Sequence, residues 1–397
     1  MTTVLPLVVL AALATATTVL LERGGRAGYG WVTGSEFALF GVALGPLGLD
    51  LLSGDLLGSV RPAVLLAVAW LGFRFGLRLR PSALRTVGWR MILASLIEPV
   101  VSLLVLRGLI EGLIRFGAVE LAPATAWAIA AVGSATTKSS TAWARAQLGA
   151  KGGLTDSLEV MSTLDDVVLI AVAGWLAPRL APVASQLPVH VWTAGVATLA
   201  LGGGLALLVA LLTGRGAFRA DLGWIALFGV CALGAGLAAS LALAPVSVAA
   251  AAGAVVGLLS PHADQFDELT RSTERPAVLV LLLLGGASLH GAWSVLALGA
   301  AVAVLRVLAK LGGGLTVARL LPKAVRRRDL GAGLLGAGGV AFAVAVALAQ
   351  DLGPSGDLVL ASAVAMALLG DFLGSPLLRR TLETAGELAA PAPEVAR

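Results

Sequence analysis

The chain has 397 residues, 58% of them hydrophobic and only 13% charged, with a mean hydropathy of +0.94. That much apolar surface excludes a soluble globular domain and implies a polytopic membrane protein. The formal charge of +5 does not imply nucleic acid, because the basic residues lie in short loops between apolar runs, where positive charge sets membrane orientation.

One cysteine, Cys231, lies within a hydrophobic run, and His190, His262 and His290 are far apart. A disulfide framework and a Cys/His metal centre are therefore excluded. Hydropathy and helix breakers predict thirteen spans, at about 4–21, 32–49, 62–79, 90–107, 121–147, 157–177, 190–212, 222–242, 245–260, 276–290, 293–318, 330–350 and 356–376. The first has no basic residue before it and too long an apolar core for a secretory signal, so it reads as a retained span. Loops after odd-numbered spans, with the C-terminal tail, hold 21 basic residues against 4 on the opposite side. This asymmetry predicts an outside N-terminus and a cytoplasmic C-terminus. Arg74 and Arg78 fall at a cytoplasmic helix end, where long basic side chains snorkel.

Six charges sit deep inside spans. Glu98 is near the middle of the fourth span, Lys138 is in the fifth, Asp165 and Asp166 are in the sixth, and Arg306 and Lys310 are in the eleventh. Uncompensated, each charge costs roughly 2.5–3.5 kcal/mol in the bilayer centre, so such residues normally face a protein interior or a water-filled cavity and mark an ion or proton path. Static pairing of three acids with three bases is the alternative. Adjacent aspartates argue against it, because like charges in low dielectric oppose joint ionisation, and a structural pair needs only one acid.

The fifth span reads AIAAVG, then SATTKSST, then AWARAQLG, which predicts two half-helices. Lys138 is expected to close the last turn of the first half, against its negative end, and Ser139 or Ser140 to cap the second. Unwound backbone at membrane depth is tolerated only beside a cavity or within protein. The twelfth span concentrates Gly331, Gly333, Gly336, Gly338 and Gly339, predicting a second interruption. Two interrupted spans at corresponding places in two halves point to a midplane ion site of the inverted-repeat kind. Glu98 and Lys310 occupy equivalent places in that scheme. A small cation prefers oxygen ligands, which the two carboxylates and Thr136 or Thr137 can supply. Asp165, Asp166 and Lys310 are then expected to titrate as one coupled group.

Other motifs carry less. GAGLLG at 331–336 matches GxGxxG, but a basic loop rather than a strand precedes it, and small residues in a membrane helix serve close packing. Asp156-Ser157-Leu158-Glu159 predicts a capping box that opens the sixth span. Asp371, near the end of the last span, is expected to be solvated.

These segments together resemble the monovalent cation:proton antiporter superfamily, in its bacterial Na+/H+ and K+/H+ branch. GVALGPLGLDLL (41–52) resembles an early GxxLGPxxLG element, and LLAVAWLGFRFGLRLRPSALR the helix that follows, with Arg74 where an acid is usual. ATTKSSTAWARAQLG and GLLGAGGVAFAVAVAL resemble two broken helices, STLDDVVLIAVAG a paired-acid motif, and VLRVLAKLGGGLTVARLL a late helix with an embedded lysine. The resemblance runs from about residue 35 to 378. It implies an all-α protein with two discontinuous crossed helices, forming a homodimer in the bacterial cytoplasmic membrane. Residues 1–88 and 220–291 would form a dimerisation domain, 89–180 and 292–380 a moving core, 181–219 a linking helix, and 381–397 a disordered tail. Asp166 would be the near-invariant acid and Asp165 its variable partner, acid there being associated with electrogenic exchange. Lys310 would pair with Asp165 when no cation is bound. Two departures stand out: Lys138 replaces a neutral residue at the crossover, and Ala337, Gly338 and Gly339 stand where many members have Arg-Gly-Glu.

The expected function is exchange of a monovalent cation, Na+ first, for protons by alternating access, with no cofactor. The expected partners are the lipid bilayer and a second copy of the chain, with no nucleic acid. The alternatives are a K+/H+ antiporter or potassium efflux subunit, a transport-inactive sensor locked by Lys138, and an intramembrane aspartyl protease. The efflux reading is weakened because the chain contains no nucleotide-binding domain. The protease would pair Asp165 or Asp166 with Asp371, but the chain there reads Ala-Leu-Leu-Gly-Asp and lacks the first glycine of Gly-x-Gly-Asp.

Overall fold

A computed structural model describes residues 32–80, 87–117, 119–180, 191–214, 218–291, 293–322 and 325–388. The first predicted span, 4–21, and the tail from 389 onward lie outside the described residues. Among the described residues there is helix and no strand. The all-α, many-helix class expected from hydropathy is the class observed.

The helices are α1 (Glu36–Leu44), α2 (Gly54–Ser59), α3 (Arg61–Arg78), α4 (Trp89–Arg115), α5 (Pro123–Ser134), α6 (Lys138–Leu148), α7 (Gly153–Leu164), α8 (Asp166–Leu180), α9 (Val191–Thr213), α10 (Ala220–Ser240), α11 (Pro245–Leu259), α12 (Ala263–Arg271), α13 (Glu274–Ala287), α14 (Trp293–Val317), α15 (Gly339–Leu352), α16 (Gly356–Leu369) and α17 (Ser375–Thr384). A 3-10 turn, Leu330–Leu334, precedes α15, and a π turn, Gly370–Gly374, joins α16 to α17. Among the described residues, six helical stretches are long and apolar enough to cross a membrane, including Trp89–Arg115, Gly153–Leu180, Trp293–Val317 and Gly339–Thr384. Each predicted span from the second to the thirteenth overlaps a described helix, the fifth and twelfth are interrupted, and α2 and α12 lie outside the predicted spans.

The boundaries follow local chemistry. Prolines 62, 123 and 245 sit at the first helical positions of α3, α5 and α11, where the missing N–H is not needed. Gly149, at φ 63°, ends α6 in the left-handed conformation that glycine adopts without strain. Lipid tails give no hydrophobic drive between helices, so close packing through small residues holds the bundle. The Gly72/Gly76 ridge of α3 therefore lies directly on α11. A Cβ at Gly76 would stand 2.1 Å from the Ala250 carbonyl oxygen, and one at Gly253 would stand 1.9 Å from that of Phe73.

Buried apolar residues form one large core around α3, α4, α5, α8, α13, α14, α15 and α16. A second core lies around Trp70, Phe73, Cys231 and Phe266. A third surrounds Leu154, Leu158, Leu330 and Leu378, at the ends of the helices that carry the site.

Three local expectations are corrected. Arg74 does not snorkel: it is 3% exposed, its Nε donates to Glu274 at 2.9 Å and its Nη1 donates to Thr270 at 3.2 Å, while Arg78 pairs with the same Glu274 carboxylate. A buried guanidinium needs a carboxylate more than it needs the headgroups, and α13 starts with one in reach. Asp371 is not solvated but 1% exposed. It accepts from the Thr33 N–H at 3.0 Å, the Thr33 hydroxyl at 2.7 Å and the Ser35 hydroxyl at 2.6 Å. Asp156 opens no capping box, because α7 begins earlier, at Gly153. Its first N–H groups are met from far along the chain by the Glu387 carboxylate, at 2.7 Å from both Leu154 N and Thr155 N. Asp156 and Glu159 instead hold Arg145, at 2.6 and 2.8 Å.

Candidate ion site

The first interruption is short. Helix α5 ends at Ser134, Ala135 and Thr137 are extended, and α6 starts at Lys138. The cap of α6 is Thr137, whose hydroxyl accepts the Ser139 N–H at 3.1 Å, not Ser139 or Ser140. Lys138 accordingly opens the second half-helix rather than closing the first. Its charge sits at the positive end of the α6 dipole, an unfavourable place. The second interruption runs from the end of the 3-10 turn at Leu334 to the first residue of α15, Gly339.

The two unwound stretches touch. Thr137 N–H donates to the Gly336 carbonyl at 3.1 Å, and the Thr136 hydroxyl donates to the Leu334 carbonyl at 3.2 Å. Arg306 of α14 satisfies what remains. Its guanidinium donates to the carbonyls of Gly133 (2.9 Å), Leu335 (2.6 Å), Ala135 (2.9 Å) and Gly336 (3.1 Å). Helix ends leave carbonyls without partners, and a planar fork of five donors suits four of them at once. Arg306, expected among the bases that compensate buried acids, does feel Glu98 and Asp165, while its hydrogen bonds go to backbone.

Lys310, one turn further along α14, is fully buried. Its Nζ lies 2.8 Å from Thr136 Oγ1, 3.1 Å from Glu98 Oε2 and 4.0 Å from Asp165 Oδ2. Asp165 and Asp166 mark the joint between α7 and α8 and are 1% and 6% exposed. The Thr136 hydroxyl beside Asp165 is already committed to Lys310 and Leu334. Both Asp165 oxygens and Oδ1 of Asp166 are buried and make no well-formed hydrogen bond among the described residues; Thr136 still acts on Asp165 at close range, and Asp165 Oδ2 has Lys310 as its ion-pair partner. Buried polar atoms are nearly always satisfied, and leaving a charged one unpaired costs more than a neutral one. These three oxygens are what a proton or a small cation would satisfy. No group of three or more His, Cys, Asp or Glu side chains poised to hold a metal occurs among the described residues, so a cation here would also need hydroxyl, carbonyl or water oxygens.

Lys138 is half-buried and has no carboxylate within 4.0 Å among the described residues. Asp166, Glu274, Glu159 and Arg78 are the charges that act on it. Asp166 in turn feels Asp165, Lys138, Arg78 and Glu274. Glu98, Thr136, Asp165 and Lys310 therefore form one contact cluster. Lys138 acts on Asp166 electrostatically, and the Thr137 hydroxyl caps α6.

Sequence reasoning missed four participants. Arg78 and Glu274 act on both Lys138 and Asp166, and their only sequence signal is a base and an acid at the ends of two different spans. Ser102 follows Glu98 at helical spacing, and its hydroxyl donates to Glu98 Oε1 at 2.7 Å. Gly313 is the fourth: a Cβ there would stand 2.4 Å from Ser102 Oγ and 2.8 Å from Glu98 Oε1. A spacing of three or four residues could have found Ser102; the Gly313 contact crosses helices and has no local signal.

The sequence matches the family model described as sodium/hydrogen exchanger, transmembrane, over residues 10–383. Among solved structures it is similar to the sodium/proton antiporter MjNhaP1 from Methanocaldococcus jannaschii. One structure of that protein, at pH 8, superposes with a TM-score of 0.71 at 15% identity, covering 98% of this chain and 100% of that one. A second, from an electron-microscopy map, gives 0.62 at 15% identity, with 98% and 99% covered. At such identity the likeness bears on the fold. No curated protein matches the sequence.

Proposed function

This chain belongs to the sodium/hydrogen exchanger family, and from that premise we propose that it is a proton-coupled cation antiporter with Na+ as its cargo. Asp165 and Asp166 bind proton and cation in turn. The observation that carries the reading is the trio of buried carboxylate oxygens left without hydrogen-bond partners beside the two unwound stretches, which bond to each other. A proton neutralises such an oxygen, and a small cation coordinates it. Both use the same lone pairs, so binding of one expels the other. A hard monovalent ion takes oxygen ligands, and backbone carbonyls or water complete the shell beside the two carboxylates, with Thr136 joining only if it exchanges Lys310 or Leu334 for the ion.

Net exchange requires the site to open to each face in turn. In folds with interrupted helices this occurs by rocking of one bundle against another around a fixed site. We assign residues 89–180 and 292–380 to the moving core and 1–88 with 220–291 to the scaffold of a homodimer. The orientation is N-terminus outside and C-terminus cytoplasmic, from the basic-residue asymmetry. Purified protein in proteoliposomes, under imposed pH and Na+ gradients, is expected to exchange the two ions. Asp166→Asn is expected to abolish exchange, and wild-type rates in that variant would refute the assignment. Running the same assay with Li+ and K+ sets the cargo.

A further inference from the structure

We propose that Glu98 is the resident counter-ion of Lys310 and a positioning residue for exchange: it holds the ammonium on the α4 side and so leaves Asp165 open to proton or cation. The transport consequence rests on the antiporter reading above, whereas the pairing itself does not.

The geometry separates the two acids. Lys310 Nζ is within hydrogen-bond distance of Glu98 Oε2, at 3.1 Å, and of Thr136 Oγ1, at 2.8 Å, while Asp165 Oδ2 stands at 4.0 Å, beyond hydrogen-bond length. The Glu98 carboxylate is held from its other side by Ser102 at 2.7 Å. It is also held in shape by the bare backbone of Gly313, where any Cβ would strike both Glu98 and Ser102. The side chains of Lys310 and Glu98 are 0% and 2% exposed, so neither partner is solvated elsewhere. Asp165 has the looser contact: neither of its oxygens has a hydrogen-bond partner among the described residues, and Oδ2 meets the ammonium only as the longer ion pair. A buried charge is tolerated when paired and hydrogen-bonded, and Glu98 meets both conditions for Lys310 without help from Asp165.

The charge balance follows. Glu98 cancels Lys310, so a cation arriving at Asp165 and Asp166 need not displace an ammonium. Without Glu98, Lys310 would turn to Asp165 and compete with the cargo. Glu98 thereby sets the apparent cation affinity while touching neither ion.

Two measurements test this. First, thermal unfolding of the purified protein gives double-mutant cycles for Glu98→Gln with Lys310→Gln, and for Asp165→Asn with Lys310→Gln. The first cycle is expected to be strongly non-additive, the double variant being more stable than the two singles predict, and the second more weakly so. Stronger coupling in the Asp165 cycle overturns the proposal. If Glu98→Gln alone cannot be purified while the neutral double variant can, that is the same non-additivity. Second, in proteoliposomes Glu98→Gln is expected to raise the Na+ KM about tenfold with little change in maximal rate, the signature of altered ground-state binding. Adding Lys310→Gln is expected to return the KM toward wild type. An unchanged KM in Glu98→Gln, with the wild type active, overturns the proposal. An inactive wild type sinks the antiporter reading instead, and the stability cycles still decide the pairing.

Discussion

The backbone N–H of Thr137 donates to the carbonyl of Gly336 at 3.1 Å, so each interrupted span supplies the hydrogen-bond partner that the other's unwound backbone lacks. Neither break is affordable alone at membrane depth. Together they form one joint, with Arg306 as its pin and the acids of α7 and α8 beside it.

The joint predicts a contrast between two neighbouring glycines. A Cβ at Gly336 would stand 2.3 Å from Ser140 Oγ and 2.7 Å from Thr137 Cγ2, whereas one at Gly338 meets nothing nearer than 3.1 Å. Gly336→Ala is expected to destabilise by about 1–3 kcal/mol through overpacking, and Gly338→Ala by clearly less. Thermal unfolding in detergent checks the ranking; equal midpoints would remove the close approach from the argument.

Arg306 tests whether the pin needs a fork. Lysine carries three donors on a single nitrogen and cannot span carbonyls from both stretches. Since a hydrogen bond to a charged group contributes roughly 1.5–3 kcal/mol, Arg306→Lys is expected to lose about 2 kcal/mol or more, and Arg306→Met to lose more than Arg306→Lys. Unfolding midpoints that rank the other way would show that charge alone, not the four-carbonyl geometry, holds the joint.

Lys138 opens α6, where a positive charge opposes the helix dipole by about 0.3–1 kcal/mol, and it acts electrostatically on Asp166. Lys138→Gln is expected to raise the melting midpoint slightly and to lower the Na+ KM several-fold in proteoliposomes. Exchange that appears only in this variant would identify the wild type as a transporter locked by its own lysine.

Asp371 ties the π turn to the segment before α1 through three donors, two from Thr33 and one from Ser35. Asp371→Ala leaves those donors without their acceptor and is expected to lose about 2–3 kcal/mol, whereas Ser35→Ala removes one hydrogen bond and loses about 1 kcal/mol. Circular dichroism melts of both variants give the comparison. Comparable losses would mean the carboxylate is not the hub of that contact.

The sequence by itself determined the all-α membrane class, most of the described helices and both interruptions, and it nominated Glu98, Thr136, Asp165 and Lys310. Those features are written locally: a run of apolar residues has to bury itself in lipid, and a charge or a cluster of glycines inside such a run stands out against it. Which base meets which acid was decided only in three dimensions. Asp165 and Lys310 were expected to pair, yet Glu98 lies nearer the ammonium, because bare backbone at Gly313 lets α14 approach α4 at that level. Arg306 was counted against acids, and it does act on Glu98 and Asp165, but its hydrogen bonds serve carbonyls left free because two distant segments unwind side by side. Asp371 and Arg74 were placed at wet helix ends, yet Thr33, Ser35 and Glu274 enclose them. Periodicity specifies which residues share a helix face, but partner choice between helices depends on rotation and depth to within an ångström or two. Those are set by small-residue contacts summed over the whole bundle, and no single stretch of sequence encodes them.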